Sequence, residues 1–316
     1  MADSRTPLLA DDQGLPLSAG SNQVQDHPIF LRVCHSPWSC LSQRGLVYTR
    51  GFILAYLTAL AGMLLDYKIE KREDSHTAWR IIFQFSTLVF VLLWLYHFIA
   101  FAWSFTHLYY PDIEDDDDRW EFALLRKFSP PIQTAHSRKR FYFSLFYCFV
   151  HVAVFINTIV FWTVLVPNGH GHFPERDDDD DDAKAEGSFE DFWSNGWFQP
   201  FCIINLWGVT ALLAFIEILY LNSVKRPVPV PSHISAIVVL LSVWLGWAAF
   251  GKILTDHYAY FWMDPEFMKK TEYVAAASVA FVGLGPSVFV FIVGLIGLRE
   301  SLTKKDERSN EQYERQ

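Results

Sequence analysis

Residues 273–298 read YVAAASVAFVGLGPSVFVFIVGLIGL, a run without a single Asp, Glu, Lys or Arg. A helix needs about 20 mostly apolar residues to cross the hydrocarbon core of a bilayer. This run is apolar all round and not along one stripe, which is the pattern of a helix surrounded by lipid. Working outward, four further stretches are free of those charges and long enough: 81–110, 141–166, 192–216 and 227–251. A sixth, 51–65, lies between Arg50 and Asp66 and reaches spanning length only by borrowing neighbours over 46–67. Continuous runs also separate this chain from a spanning barrel, whose strands are short and alternate. The reading is an all-α polytopic membrane protein, a bundle of about six transmembrane helices near 46–67, 81–106, 141–166, 199–222, 232–251 and 273–298.

Composition agrees. Hydrophobic residues make up 51% of the 316, although the chain also carries acidic runs at 115–118 and 177–182 and polar tails at 1–45 and 299–316. The apolar residues must therefore be concentrated in the spans. Residues 1–45 hold no apolar core of the signal-peptide kind, so the first span is expected to act as its own insertion signal. Six spans put both ends on one face, and Lys plus Arg number 17 on that face against 9 on the other. By the positive-inside rule both ends are expected in the cytosol. No Asn-x-Ser/Thr acceptor falls in the loops of the opposite face, which favours the endoplasmic reticulum or another endomembrane. The acidic runs read as solvated blocks, since neither has the glycine and spaced oxygens of a calcium loop. Four cysteines, two before the first span and two inside spans, do not make a disulfide framework. His170 and His172 form no convincing metal site, and no metal, cofactor or nucleic-acid partner is expected.

Chemistry has to be sought among polar groups inside the spans, because a charge there costs at least about 2.5 to 3.5 kcal/mol. At about 100° per residue, Ser86, His97 and Ser104 share one face of the second helix. On the third, Ser144, His151 and Thr158 repeat every seven residues, with Cys148 beside them. On the fourth, Thr210 and Glu217 are seven apart. Three polar stripes are expected to converge on a shared interior. By depth, Ser86, Thr87, Asn157, Thr158 and Asn205 fall near the lumenal end, while His97, His151 and Glu217 lie deeper or toward the cytosol. These groups serve either as interhelical glue or as a functional cluster, and Glu217 needs a partner or a proton in either case. The small residues Gly246, Ala248, Ala249 and Gly251 of the fifth helix and Gly283, Gly285, Gly294 and Gly297 of the sixth suit close helix packing, and Pro286 predicts a kink in the last helix. No GxxxxGK[ST], HExxH, GxSxG or histidine-box pattern occurs, and no inverted repeat is visible.

The order of elements resembles the androgen-induced-protein family, membrane hydrolases of fatty acid esters of hydroxy fatty acids, with the rolling stone family as second neighbour. The pieces are TAWRIIFQFSTL (77–88), INTIVFWTVLVP (156–167), NLWGVTALLAFIEIL (205–219) and VWLGWAAFGKILTDHYAYFWMDP (243–265). The resemblance implies a six-helix fold and an intramembrane ester hydrolase acting on acyl chains. It also implies a hydroxyl nucleophile near the start of helix 2 and a histidine base near the start of helix 4. Here these positions offer Ser86 or Thr87 and, in place of histidine, Asn205, with no histidine anywhere in 192–232. A hydroxyl is a feeble nucleophile without a base. Two readings therefore stand beside each other, a lipid-binding protein that keeps the fold without catalysis and an ester hydrolase. A proton-coupled transporter using His97, His151 and Glu217 is the third.

Overall fold

Six helices are long and apolar enough to cross a membrane, Gln43–Asp66, Phe85–Tyr109, Arg138–Asn168, Phe198–Leu221, Val230–Thr255 and Thr271–Thr303, and the chain is a multi-pass membrane protein. The computed structural model describes residues 29–70, 77–110, 120–131, 137–171 and 197–314, and among them there is no strand. Residues 1–28, both acidic runs and His172 lie outside the described residues.

In chain order the helices are α1 (Ile29–Cys34), α2 (Gln43–Glu70), α3 (Thr77–Phe83), α4 (Phe85–Tyr109), α5 (Trp120–Phe128), α6 (Ser137–Val160), α7 (Phe198–Ile204), α8 (Thr210–Ile216), α9 (Val230–Thr255) and α10 (Thr271–Glu314). The third span continues α6 through a π-helical turn, Phe161–Leu165. The fourth span joins α7 to α8 through the π turn Asn205–Val209 and ends in another, Glu217–Leu221. Such wide turns inside helices are often found at functional sites. Two of the three open on a polar residue singled out in the sequence, Glu217 from its spacing and Asn205 from its depth and the family resemblance.

The third span is the hub, with 61% of its apolar window buried, and the fifth lies at the rim with 28%. Val239, Val243, Val290, Phe291 and Leu212 point outward. In a bilayer these side chains meet acyl chains, so their exposure carries no penalty. Close approach is set at two glycines. A Cβ on Gly251 would stand 2.5 Å from the Phe83 ring, and one on Gly285 would stand 2.6 Å from Leu241. These contacts press α3 onto α9 and α9 onto α10. Helix α10 runs without interruption through Pro286.

The two faces of the bundle are closed differently. On one face the loop after α9 folds Tyr260 and Trp262 back among Phe85, Trp244 and Phe281, with ring centroids 4.8 to 5.8 Å apart. His170 stacks on Phe261 of the same loop at 4.3 Å. The other, the terminal face, carries α1 and the end of the sixth span. There the stretch 29–42, which composition assigns to a polar tail, is an ordered strap. Phe30, Val33 and Cys34 are buried. The Arg32 carbonyl accepts from Ser223 N at 2.9 Å and from its hydroxyl at 3.0 Å.

Candidate functional site

The strap docks where it does because the fourth span ends inside protein. The last four carbonyls of any helix lack an intrahelical partner, and here each is met by a side chain from elsewhere. Arg299 donates to Ile218 O at 2.8 Å, Trp38 Nε1 to Leu219 O at 2.7 Å, the Ser36 hydroxyl to Tyr220 O at 2.7 Å and Arg50 to Leu221 O at 2.7 Å. Arg299 also donates to Asn222 O at 2.8 Å, to Asn222 Oδ1 at 3.0 Å and to Val224 O. Two guanidinium groups at a helix C-terminus also oppose the negative end of its dipole.

Arg50 does more than cap. It pairs with Glu217 at 3.0 Å, with both side chains fully buried. It also donates to Ala100 O at 3.0 Å and to the Ser104 hydroxyl at 2.6 Å. One residue of the first span thus fastens the second to the fourth. Glu217 Oε1 additionally accepts from the Tyr96 hydroxyl at 2.7 Å and from Asn222 Nδ2 at 3.3 Å. Tyr147 of α6 exchanges contacts with the Asn222 amide at 3.3 and 3.5 Å. His151 bonds the Tyr147 carbonyl at 2.7 Å, and its ring lies 5.1 Å from that of Tyr96. The second oxygen of Glu217, Arg50 Nε, both nitrogens of His97 and His151 Nε2 make no hydrogen bond and are buried.

The polar stripes of the second, third and fourth spans do converge, and Ser86, His97, Ser104, His151, Asn157, Thr210 and Glu217 are all buried. They do not form one cluster. Thr210 turns its hydroxyl back to Leu206 O. Asn205 accepts from the Tyr56 hydroxyl and donates to Phe201 O at 2.7 Å. Asn157 Oδ1 and Thr158 Oγ1 are buried without a partner. Ser86 is buried and Thr87 half-buried at the start of α4. Histidines of the described residues bond to Gln43, to one another, to Ser144 and to the carbonyls of Tyr147, Pro229 and Thr255, and none of these bonds reaches Ser86 or Thr87.

Sequence reasoning missed Arg50 and Arg299, which it took for charges flanking the first and last spans. A signal for them existed, since a carboxylate at position 217 demands a cation and these two bound the spans at that face. It also missed a pocket of about 530 Å³ on the terminal face. Five of its lining side chains are basic, Arg32, Arg138, Arg140, Lys225 and Arg226, and the turn Pro227–Pro229 and Ser144 complete it. Arg226 pairs with Glu300 at 3.1 Å. A second groove is lined by Pro231, Ser232, Ser235, Ala236, Val239 and Leu240 of α9 and by Leu145 of α6. The two share no lining residue but border each other along the chain, Ser144 lining the pocket and Leu145 the groove, Pro229 the pocket and Pro231 the groove. Among the described residues no group of three His, Cys, Asp or Glu is placed to hold a metal ion. No protein-family model, curated protein or solved structure matches the chain, so its function has to be read from its own geometry.

Proposed function

We propose that this chain is a lipid-binding membrane protein whose terminal face is cytosolic and whose basic pocket holds the headgroup of an anionic glycerophospholipid. The observation that carries the reading is a pocket lined by five basic side chains, next in sequence on α6 and α9 to a groove lined mainly by apolar ones. From Pro231 to Leu240 that groove follows α9 for about 14 Å, which suits an acyl chain. Basic pockets between transmembrane helices on the cytoplasmic side are suited to anionic headgroups, at about 1 kcal/mol per Lys or Arg near the surface. The ionic cluster around Glu217 serves the pocket indirectly, since Arg299 fixes Asn222 and Val224 just before the turn that forms one wall. An endomembrane location, such as the endoplasmic reticulum, accords with loops on the opposite face that lack glycosylation acceptors.

Native mass spectrometry of protein reconstituted with equal zwitterionic and anionic phospholipid tests the reading. The wild type is expected to retain the anionic lipid preferentially. Arg138→Ala with Arg140→Ala is expected to lower that retention by roughly 30-fold, from about 2 kcal/mol of lost attraction. Millimolar inorganic phosphate should leave the lipid in place. Equal retention of both lipids by the wild type would remove the proposal, and displacement by phosphate would turn the pocket into a site for a free anion.

Orientation is checked with cysteine chemistry. Cys40 is exposed on the terminal face, whereas Cys34, Cys148 and Cys202 are buried. Burial pushes the Cys34 thiol up to about 12, against the smaller opposing pull of Arg50 and Ser104. Because the thiolate is the reactive form, a membrane-impermeant maleimide should mark Cys40 alone, and only after the plasma membrane is opened. Marking in intact cells would reverse the orientation, and marking that survives Cys40→Ser would contradict the packing of the other three.

A further inference from the structure

A hydroxyl and an imidazole meet at the inner end of the basic pocket. The Ser144 hydroxyl of α6 lies 3.0 Å from His233 Nε2 of α9, and His233 Nδ1 lies 2.8 Å from the Pro229 carbonyl. A carbonyl only accepts, so Nδ1 carries the ring's proton and Nε2 of the neutral ring presents its lone pair to Ser144. This is the arrangement that activates a hydroxyl nucleophile: a base within hydrogen-bond reach, itself oriented by a third group. The ring is fully buried, and Phe141 stands edge-on to it at 5.0 Å, which fixes its plane. Ser144 lines the pocket while His233 lies behind it, so the oxygen faces the ligand and the base does not.

Depth names the bond that the hydroxyl would meet. Ser144 lies four residues beyond Arg140 on α6, about 6 Å deeper along the axis. The interfacial layer of a leaflet is roughly 5 to 8 Å thick. A phosphate held at the level of Arg138 and Arg140 therefore places the acyl ester of a glycerophospholipid level with Ser144, and its chain enters the groove along Val239 and Leu240. Resting on the lipid-binding reading above, we propose that Ser144 and His233 hydrolyse an acyl ester of the bound glycerophospholipid.

The Ser144 oxygen attacks the ester carbonyl carbon, and its proton passes to His233 Nε2. The carbon–oxygen bond to glycerol then breaks, and the same proton goes to the departing glycerol oxygen. Water, the second substrate, attacks the resulting acyl-serine and gives its proton to His233. The fatty acid leaves and the proton returns to Ser144, so the pair ends as it began.

Two readouts on protein in proteoliposomes test this. Wild type is expected to react with a fluorophosphonate probe and to release fatty acid from an anionic glycerophospholipid. Ser144→Ala is expected to abolish probe reaction and to lower release by at least about 100-fold, the lower range for loss of this kind of catalysis. His233→Gln should lower both, whereas Ser86→Ala and Thr87→Ala should leave both unchanged. A thermal midpoint of Ser144→Ala in detergent equal to that of the wild type excludes misfolding as the cause of loss. Absence of fatty acid release by the wild type, or probe reaction undiminished in Ser144→Ala, overturns the assignment. Lipid retention measured on the same Ser144→Ala protein separates the two proposals. Retained lipid with no wild-type hydrolysis sinks only the chemistry, and Ser144-dependent probe reaction without lipid preference sinks only the choice of lipid.

Discussion

Arg50→Ala is expected to destabilise the protein by about 3 to 5 kcal/mol, the range for breaking a buried ion pair by removing one partner. For a chain of this size that lowers the thermal midpoint in detergent by on the order of 10 °C. The guanidinium holds Glu217, the Leu221 carbonyl, the Ala100 carbonyl and the Ser104 hydroxyl at once. Its removal strands a carboxylate that is fully buried and whose second oxygen already lacks a hydrogen bond. Arg50→Met combined with Glu217→Leu is expected to regain most of the loss, because hydrophobic residues of similar volume remove the stranded charge. Thermal unfolding followed by intrinsic fluorescence measures both. If the single and double variants fall equally, the pair is not what joins the first span to the fourth. A wild-type midpoint in Arg50→Ala would sink the account of the cluster altogether.

The second large effect is expected at Arg299. Its guanidinium satisfies the carbonyls of Ile218, Asn222 and Val224 and the side-chain oxygen of Asn222, and the residue is 1% exposed. A buried acceptor left without a donor costs about 1 to 3 kcal/mol. With some relaxation toward water at this face, Arg299→Ala should cost on the order of 4 kcal/mol in total. Arg299→Lys should recover only part, since one ammonium cannot match the fork that spans those acceptors. The consequence reaches the pocket. Residues 222–229 lead from the end of the fourth span to α9 and include the Pro227–Pro229 wall, so freeing their anchor should expose them to protease. Limited proteolysis of Arg299→Ala is therefore expected to cut between α8 and α9, where the wild type resists. A resistant loop in that variant would show that the strap and Arg50 hold the segment without Arg299.

Much of this architecture is legible in the sequence, for an identifiable reason. Insertion of a span depends on the summed transfer of its own residues, so a run such as 273–298 declares its membrane location locally. Helical spacing likewise placed His97, His151 and Glu217 on inward faces, because azimuth along one helix is fixed by the 3.6-residue turn. The weakest run, 51–65, shows where this stops. Charge counting treats Arg50 as a flank, yet the helix begins at Gln43 and carries that arginine inside. What made the placement tolerable is Glu217, 167 residues away. The π turns at Asn205 and Glu217 left no mark in composition either, since they arise from how the fourth span meets its neighbours. The Ser144 and His233 pair was equally hidden. The two are 89 residues apart, and the relevant histidine sits just past the stretch in which the family resemblance looked for one.

That lipid surrounds this protein, how many times the chain can cross, and which faces of the second, third and fourth helices turn away from lipid all follow from the order of residues. Those properties come from interactions of each segment with its solvent, which add up along the chain. Only packing in three dimensions could bring Glu217 to Arg50, cap the fourth span with Arg299, close the terminal face with residues 29–42 and ring one pocket with five cations. Such contacts depend on the relative depth and rotation of helices distant in sequence. Burial inside the membrane then makes them specific, because a polar group there that misses its partner has no water to turn to.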